Sequence, residues 1–182
     1  RRLDPKNGLD VLIKAIAVVL EKRTDVKFVI AGGGTKDLED EYINLAKKLG
    51  VDDYLIITGV LTHDEMRRFI PSADLVVIPS FYEAVSLAAL EGLSCGVPVI
   101  ASNVGGLPYV VNDTNGALFE AGNVHQLAQV IVNHLSDWPS TVIKGKVARE
   151  QAVDRHTWEL VALKTLDFYK SLSDTLCPNS WR

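Results

Sequence analysis

The stretch Glu83-Ala-Val-Ser-Leu-Ala-Ala-Leu-Glu91-Gly-Leu-Ser-Cys-Gly96 runs directly into the apolar segment Val97-Pro-Val-Ile-Ala101. Its middle, residues 86–95, favours a helix that is apolar on every face, as in a helix buried on all sides. A strand that is apolar along its whole length is typical of a parallel sheet covered on both faces. The stretch therefore predicts a helix and a strand of an open parallel sheet.

Outward from this stretch, apolar runs rich in β-branched residues alternate with segments of helical periodicity. Strands are predicted at residues 27–31, 54–58, 74–78, 97–101 and 116–119. Helices are predicted at residues 9–20, 38–49, 62–70, 86–95, 124–135, 141–152 and 157–172. Strands that alternate with helices form right-handed βαβ units. The sequence therefore predicts an α/β fold, a doubly wound, Rossmann-like parallel sheet of about six strands with helices on both faces.

Only three residues precede a turn-forming sequence, Asp4-Pro5-Lys6-Asn7-Gly8, which we call the opening turn. A turn of this composition closes a strand, so we expect the first strand to be truncated. Residues 1–172 are predicted to form a single domain of a longer protein. The polar residues 173–182 are predicted to form a C-terminal tail.

Composition narrows the class of protein. The 182 residues are 47% hydrophobic and 23% charged, as in an ordinary globular domain. A net charge of −4 gives no electrostatic indication of nucleic acid. The sequence shows no signal peptide and no transmembrane segment. The default expectation is a cytoplasmic protein, with peripheral membrane association left open for the full-length chain. Neither the cysteines nor the histidines have metal-binding spacing, so no metal is predicted.

Glycine-rich and polar segments follow four of the predicted strands. They are Gly32-Gly33-Gly34, Gly59, residues 80–86 and residues 102–106. In open parallel sheets, ligands bind outside the carboxyl ends of the strands. The sequence therefore predicts a ligand site at this edge of the sheet.

Glu91 is the only charged residue between Ala84 and Asp113. A carboxylate on a buried helix is costly unless it is paired, and no Lys or Arg lies within a helical turn or two of it. Because Glu83 stands at the start of the same helix, we favour a ligand as the partner. The alternative is a core glutamate satisfied by backbone amides and a distant arginine.

The backbone amides of residues 84–87 lie at the predicted helix start, where unpaired N–H groups suit a phosphate. Ser86 is also a favourable N-cap residue, so a serine at this position can be explained without a ligand. Arg2 and Lys6 flank the opening turn and could neutralise phosphate charge, although loop cations are commonly just solvated. Gly32-Gly33-Gly34 could admit a phosphate or sugar, or serve only as a tight turn.

Several further segments occur in a specific order and spacing. These segments are residues 2–10, 28–34, 49–51, 57–59, 82–99, 101–108, 115–116 and 157–159. Together with the E-x₇-E pattern of Glu83 and Glu91, they resemble the retaining glycosyltransferases of the group 1 (family four) type. The resemblance is to their C-terminal domain in the GT-B fold.

The resemblance implies a nucleotide-diphosphate sugar as donor substrate and no metal or other cofactor. Glu91 would hold the ribose hydroxyls, and Glu83 would lie toward the donor sugar. Arg2, with Lys6, would stabilise the departing diphosphate. The remaining implied donor contacts are Gly32 and Gly33, Val60 and Leu61 near the base, and Ala84, Val85, Ser86 and Leu87 at the phosphates.

The chain departs from the family pattern at a few positions. The family usually has Lys where Asn7 stands, and Lys6 is the candidate replacement. Ala84 and Ser86 replace glycines of the loop, and Tyr109 stands where an acidic residue is usual.

The sequence thus predicts the donor-binding domain of a retaining glycosyltransferase. The acceptor is unknown, and its site is expected on the protein's own N-terminal domain, outside these residues. The isolated fragment is expected to be inactive. Three alternatives stay open: a sugar-nucleotide epimerase of related fold, a dinucleotide oxidoreductase, and a non-catalytic, degenerate transferase module. The oxidoreductase would need a full G-x-G-x-x-G fingerprint, which the sequence does not clearly contain.

Overall fold

A computed structural model describes residues 2–176, with side chains through residue 173. The strands are β1 (Phe28–Ile30), β2 (Leu55–Ile57), β3 (Val76–Ile78), β4 (Val99–Ser102) and β5 (Gly116–Phe119). The helices are α1 (Leu9–Leu20), α2 (Lys36–Leu49), α3 (His63–Phe69), α4 (Leu87–Ser94), α5 (Val124–Ser136), α6 (Trp138–Arg155) and α7 (Trp158–Leu176). Helices separate successive strands as far as β4, and the predicted α/β class is confirmed.

All the strand pairs in the described chain are parallel, but they form two groups rather than one sheet. β1 pairs with β2, and β4 lies between β3 and β5. The described residues therefore contain five strands, where about six were predicted with the truncated first strand included. The interruption falls between β1 and β3.

The strand β4 shows how helices cover both faces of the sheet. Ile100 packs into an apolar cluster with α1, α2 and α5. Its neighbours Val99 and Ala101 pack into a second cluster that contains residues of α4 and α6. Successive side chains of a strand point to opposite faces, so β4 is fully buried between two helical layers.

The largest corrections to the predicted helix boundaries concern α6 and α7. Helix α6 begins at Trp138 rather than residue 141, because Asp137 caps it and Pro139 stands in its first turn, where the missing N–H costs nothing. Helix α7 continues to Leu176, past its predicted end at residue 172. The rest of the predicted tail, residues 177–182, lies outside the described residues.

The prediction that α4 is buried on all faces is wrong. Ala89, Gly92 and Leu93 are buried, but the side chain of Leu87 is 60% exposed. The apolar sequence of α4 gave no indication of this exposure. Leu87 is exposed because the first turn of α4 lies at the rim of a pocket.

Candidate functional site

A pocket of about 580 Å³ lies where β1, β2 and β3 end. Its lining residues come from the loops after these strands, from α3 and α4, and from the start of the chain. They are Arg2, Ala31, Gly32, Gly33, Val60, Leu61, Met66, Glu83, Val85, Ser86, Leu87, Ala88 and Glu91. The loops after β1, β2 and β3 therefore converge on one pocket, as expected, whereas Gly59 and residues 102–106 after β4 do not line it. Of the predicted site residues, Lys6 and Ala84 are the ones that do not line the pocket.

The first turn of α4 forms one part of the pocket. Ser86 caps this helix, because its hydroxyl oxygen accepts a hydrogen bond from the N–H of Ala89 at 3.3 Å. Ser86 is itself buried. The cap fixes the direction of the helix, whose N-terminal amides and partial positive charge favour an anion in the pocket.

The loop that carries Glu83 is held by two neighbouring segments. The hydroxyl of Ser80 donates to the Glu83 carboxylate at 3.5 Å. The backbone N–H of Gly106 donates to the Glu83 carbonyl oxygen at 3.0 Å. Ser102, at the end of β4, donates from its hydroxyl to the carbonyl oxygen of Ser80 at 2.5 Å. The carboxylate of Glu83 is therefore positioned by loops that follow β3 and β4.

Glu91 lies one helical turn beyond Leu87 and is half-buried. The expectation of a fully buried carboxylate is corrected, because the open pocket borders this side chain. Among residues 2–173, no Lys, Arg or His forms a salt bridge with Glu91. Its carboxylate is thus available to hydroxyl groups of a ligand.

The residues of the opening turn differ in position. Arg2 is exposed and lines the pocket, and its carbonyl oxygen accepts a hydrogen bond from the side-chain amide of Asn7 at 2.7 Å. The ammonium group of Lys6 lies 3.7 Å from the carboxylate of Asp4 and outside the pocket lining. Asn7 is buried beneath the turn. Among the described residues at the start of the chain, from Arg2 to Gly8, only Arg2 contributes a cationic side chain to the pocket lining.

The triple glycine after β1 serves both packing and the pocket. A Cβ at Gly33 would stand 2.9 Å from the side chain of Val60, and one at Gly34 would stand 2.8 Å from Leu3. Gly32 and Gly33 also line the pocket. This geometry is consistent with both interpretations of the sequence, that the glycines let a phosphate or sugar approach the backbone and that they form a tight turn.

Sequence analysis missed Ala31, Met66 and Ala88. Ala31 and Ala88 are sequence neighbours of the predicted residues Gly32 and Leu87, and this proximity in sequence could have identified them. Met66 lines the pocket from α3, a helix that begins with a capping box. Thr62 accepts from the Glu65 N–H at 3.3 Å, and Glu65 accepts from the Thr62 N–H at 2.7 Å. The backbone N–H of Thr62 and its hydroxyl, the latter at 2.8 Å, both donate to the Glu65 carboxylate and so lower the pKa of this carboxyl group.

Within the described residues, no group of three or more His, Cys, Asp or Glu side chains is placed to hold a metal ion. None of the helices in the described part of the chain is both long and apolar enough to cross a membrane.

Solved structures define the class of this fold. The C-terminal domain of a group 1 glycosyl transferase, LpcC from Francisella tularensis, matches with a TM-score of 0.79 and 26% identity over 86% of this chain and 83% of its own. The Anabaena protein HepE, in complex with UDP-glucose, matches with a TM-score of 0.85 and 25% identity over 94% of this chain and 47% of its own. The chain therefore has the fold of a GT-B glycosyltransferase C-terminal domain.

The sequence comparisons identify the family. The family model for glycosyl transferases group 1 matches residues 1–173. The D-inositol 3-phosphate glycosyltransferase of Corynebacterium aurimucosum is 33% identical over 92% of this chain and 41% of its own length. The chain belongs to the group 1 glycosyl transferases, as the sequence predicted. It spans less than half the length of the curated relatives it matches.

Proposed function

We propose that this chain is the donor-binding domain of a retaining glycosyltransferase that uses a nucleotide-diphosphate sugar. The observation that carries the proposal is the pocket itself. It brings the two carboxylates of Glu83 and Glu91, the first turn of α4 and Arg2 around one volume. These groups complement the parts of such a donor, since hydroxyls donate to carboxylates and phosphates accept from cations and amides.

Each group has a specific role in this proposal. The Glu91 carboxylate accepts hydrogen bonds from the ribose hydroxyls, and Glu83 accepts from the donor sugar. The amides of residues 85–87 bind the phosphates. Arg2 stabilises the negative charge that develops on the departing diphosphate, the main electrostatic task of such a transfer. The exposed side chain of Val60 and its neighbour Leu61 lie against the base.

Relatives support the proposal without fixing the substrate. HepE binds UDP-glucose, and the Corynebacterium relative is a D-inositol 3-phosphate glycosyltransferase. A thermal-shift screen of the full-length protein against UDP-, GDP- and ADP-sugars identifies the base, because a bound ligand raises the apparent stability by mass action. No shift with any of the three donor classes would contradict the proposal.

A matched pair of variants tests the role of Glu91. Glu91→Gln keeps the size of the side chain and removes its charge, and we expect it to weaken donor affinity about tenfold or more, since hydrogen bonds to charged groups contribute about 1.5–3 kcal/mol. Glu150→Gln, on the exposed surface of α6, is the control. Calorimetry on the folded proteins measures both. Unchanged affinity in Glu91→Gln would refute the ribose role.

We further propose that the acceptor binds to the protein's own N-terminal domain, since this chain spans only 41% of the Corynebacterium relative. The 182 residues alone should then bind the donor and transfer nothing. Sugar transfer by the isolated chain would contradict this.

One observation favours a second function, that of a non-catalytic module. Lys6 pairs with Asp4 and Asn7 bonds to the backbone of Arg2, so neither side chain supplies a second cation to the pocket. Turnover by the full-length protein separates the two functions. Donor binding without transfer to any acceptor would favour the module, and transfer would favour the enzyme.

A further inference from the structure

The pocket assigned to the donor is lined by more negative than positive charge. Its lining includes the carboxylates of Glu83 and Glu91, and among the described lining residues Arg2 is the only one with a cationic side chain. A diphosphate that enters this pocket meets two like charges and one opposite charge, so its binding depends on where the guanidinium of Arg2 lies. An exposed arginine also loses rotamer freedom when it binds a ligand. The contacts that hold the backbone of Arg2 therefore bear directly on donor affinity.

The side chain of Asn7 provides one of these contacts. Its amide nitrogen Nδ2 donates to the carbonyl oxygen of Arg2, five residues back in the sequence, at 2.7 Å. Asn7 is 6% exposed and does not line the pocket. A ligand in the pocket therefore does not meet Asn7, and any effect of Asn7 on the ligand passes through the residue that it holds.

The fold of the opening turn brings this amide back to Arg2. Asp4 begins the turn, and its carboxylate accepts a hydrogen bond from the N–H of Lys6 at 3.0 Å. The backbone N–H of Asn7 donates to the carbonyl oxygen of Asp4 at 2.8 Å. Gly8 ends the turn with a φ of 67°, a conformation that favours glycine. The chain thus reverses over a few residues, and the side chain of Asn7 meets the backbone that precedes the turn.

The residue after Arg2 is held as well. Leu3 is buried, and its N–H donates to the carbonyl oxygen of Gly33 at 3.0 Å. A Cβ added at Gly34 would stand 2.8 Å from the side chain of Leu3, so the two segments are in close contact. Both polar groups of the peptide unit between Arg2 and Leu3 are therefore bonded, the carbonyl oxygen to Asn7 and the N–H to Gly33.

We propose that Asn7 is a positioning residue for the donor diphosphate and acts by orienting the peptide unit that follows Arg2. This inference rests on the proposed function. Because a peptide unit is planar, a bond at each of its two polar groups fixes its orientation, and the guanidinium then samples a restricted volume beside the two carboxylates. Without the amide of Asn7, one side of the peptide unit is released. The guanidinium then lies near the phosphates for less of the time, whereas contacts to the base and ribose are unchanged.

The test compares two alanine variants of the full-length protein. Asn7→Ala removes the donor to the Arg2 carbonyl oxygen. Asn115→Ala is the matched control, because Asn115 is also buried and its amide also donates to a carbonyl oxygen five residues back, that of Val110, at 2.9 Å. Calorimetry on the folded proteins measures affinity for the nucleoside diphosphate of the preferred base. Competition titration measures affinity for the corresponding nucleoside, which has no phosphate.

We expect Asn7→Ala to weaken binding of the diphosphate about threefold to tenfold, the range of one ordinary hydrogen bond, and to leave nucleoside affinity unchanged. Asn115→Ala should lower stability and change neither affinity. An equal loss for both ligands in Asn7→Ala would overturn the proposal, because it would show that Asn7 supports the whole pocket. Unchanged affinity for the diphosphate in this variant would overturn it as well.

A double-mutant cycle tests whether Asn7 acts through Arg2. Arg2→Ala removes the guanidinium, and we expect it to weaken binding of the diphosphate about tenfold or more. In that background Asn7→Ala should have no further effect, because no cation remains to be positioned. Additive losses in the double variant would overturn the proposal. If Asn7→Ala does not fold, Asn7→Ser, whose donor stands one bond nearer the backbone, takes its place in the same cycle.

These readouts separate the role of Asn7 from the proposed function. A loss of diphosphate affinity in Arg2→Ala with none in Asn7→Ala would overturn the role of Asn7 and leave the proposed function standing. Unchanged diphosphate affinity in Arg2→Ala would refute the roles of both residues. If the unsubstituted protein binds no nucleotide, the proposed function and this proposal are refuted together.

Discussion

Gly106 donates its backbone N–H to the carbonyl oxygen of Glu83 at 3.0 Å, and this bond ties the loop after β4 to the loop after β3. The adjacent Gly105 makes the approach possible. Its φ is 51°, and a Cβ at this position would overlap the Glu83 carbonyl oxygen. The position of the Glu83 carboxylate therefore depends on Gly105, which lies more than twenty positions later in the sequence and has no side chain to block the approach.

Gly105→Ala should displace the Glu83 loop and abolish or greatly weaken donor binding. The control is Gly50→Ala, where φ is 67° and no atom lies within 4 Å of the added Cβ. Left-handed backbone costs a non-glycine residue roughly 1–2 kcal/mol, so the control should lose only about that much stability. Urea denaturation and calorimetry measure the two effects. Normal donor binding by Gly105→Ala would show that the close approach is dispensable.

Ser86→Ala should lower the free energy of unfolding by about 1 kcal/mol, because it removes the N-cap of α4. The control is Ser94→Ala at the other end of the helix, where the hydroxyl donates to the Glu91 carbonyl oxygen at 2.9 Å. We expect its cost to be smaller, within about 0.5 kcal/mol. Equal losses for the two variants in urea denaturation would contradict the role of Ser86 as the cap.

Asn7→Asp should destabilise the opening turn by about 1–3 kcal/mol, because it replaces the donor to the Arg2 carbonyl oxygen with a buried acceptor. Asn112→Asp is the matched control. The side-chain oxygen of Asn112 only accepts, from the N–H and hydroxyl of Thr114, so an aspartate retains these bonds. Thermal or urea denaturation compares the pair, and a similar stability for both variants would argue against the role assigned to Asn7.

His156→Asn should reduce the loss of stability on acidification. Partial desolvation of the imidazole, followed by the charges of Lys164 and Arg155, lowers the pKa of His156, although the residue as a whole is exposed. As the pH falls below about 6.5, the unfolded chain binds the proton first, so neutral His156 contributes stability above that pH. The contribution is lost as the pH falls through the lower pKa of the folded state.

Urea denaturation between about pH 7.5 and about pH 5 checks this direction. The exposed His125→Asn variant controls for the loss of an imidazole. An unchanged pH dependence in His156→Asn would contradict the assignment.

Metal removal should leave sugar transfer by the full-length protein intact. Arg2 and the first turn of α4 supply positive charge at the proposed diphosphate position, so the transfer as proposed does not depend on a divalent cation. Activity in excess EDTA measures this, with restoration by added Mg²⁺ as the check. Activity that EDTA abolishes and Mg²⁺ restores would refute a metal-free transfer.

The local pattern was sufficient to predict most elements and much of the site. Hydrophobic periodicity is a property of neighbouring residues, so it located β5 at residues 116–119 and α1 at residues 9–20 as observed. The glycine and polar residues at strand ends predicted a common edge. Parallel topology then brought Gly33, Glu83 and Glu91 together.

Other features depended on contacts between distant segments. The side chain of Lys6 lies beside Asp4 and outside the pocket lining, and Met66 of α3 lines the pocket from a separate helix. The half-exposure of Glu91 follows from the pocket beside it, which no helical period reveals.

By itself, the sequence determined the alternation of strands and helices, the parallel class and the family, because each depends on residue order and local periodicity. Only the tertiary structure decided that the sheet is interrupted between β1 and β3, and that Asn7 Oδ1 is buried without a partner. Strand pairing and the satisfaction of buried polar atoms are set by which segments meet in space, and that depends on the whole folded chain.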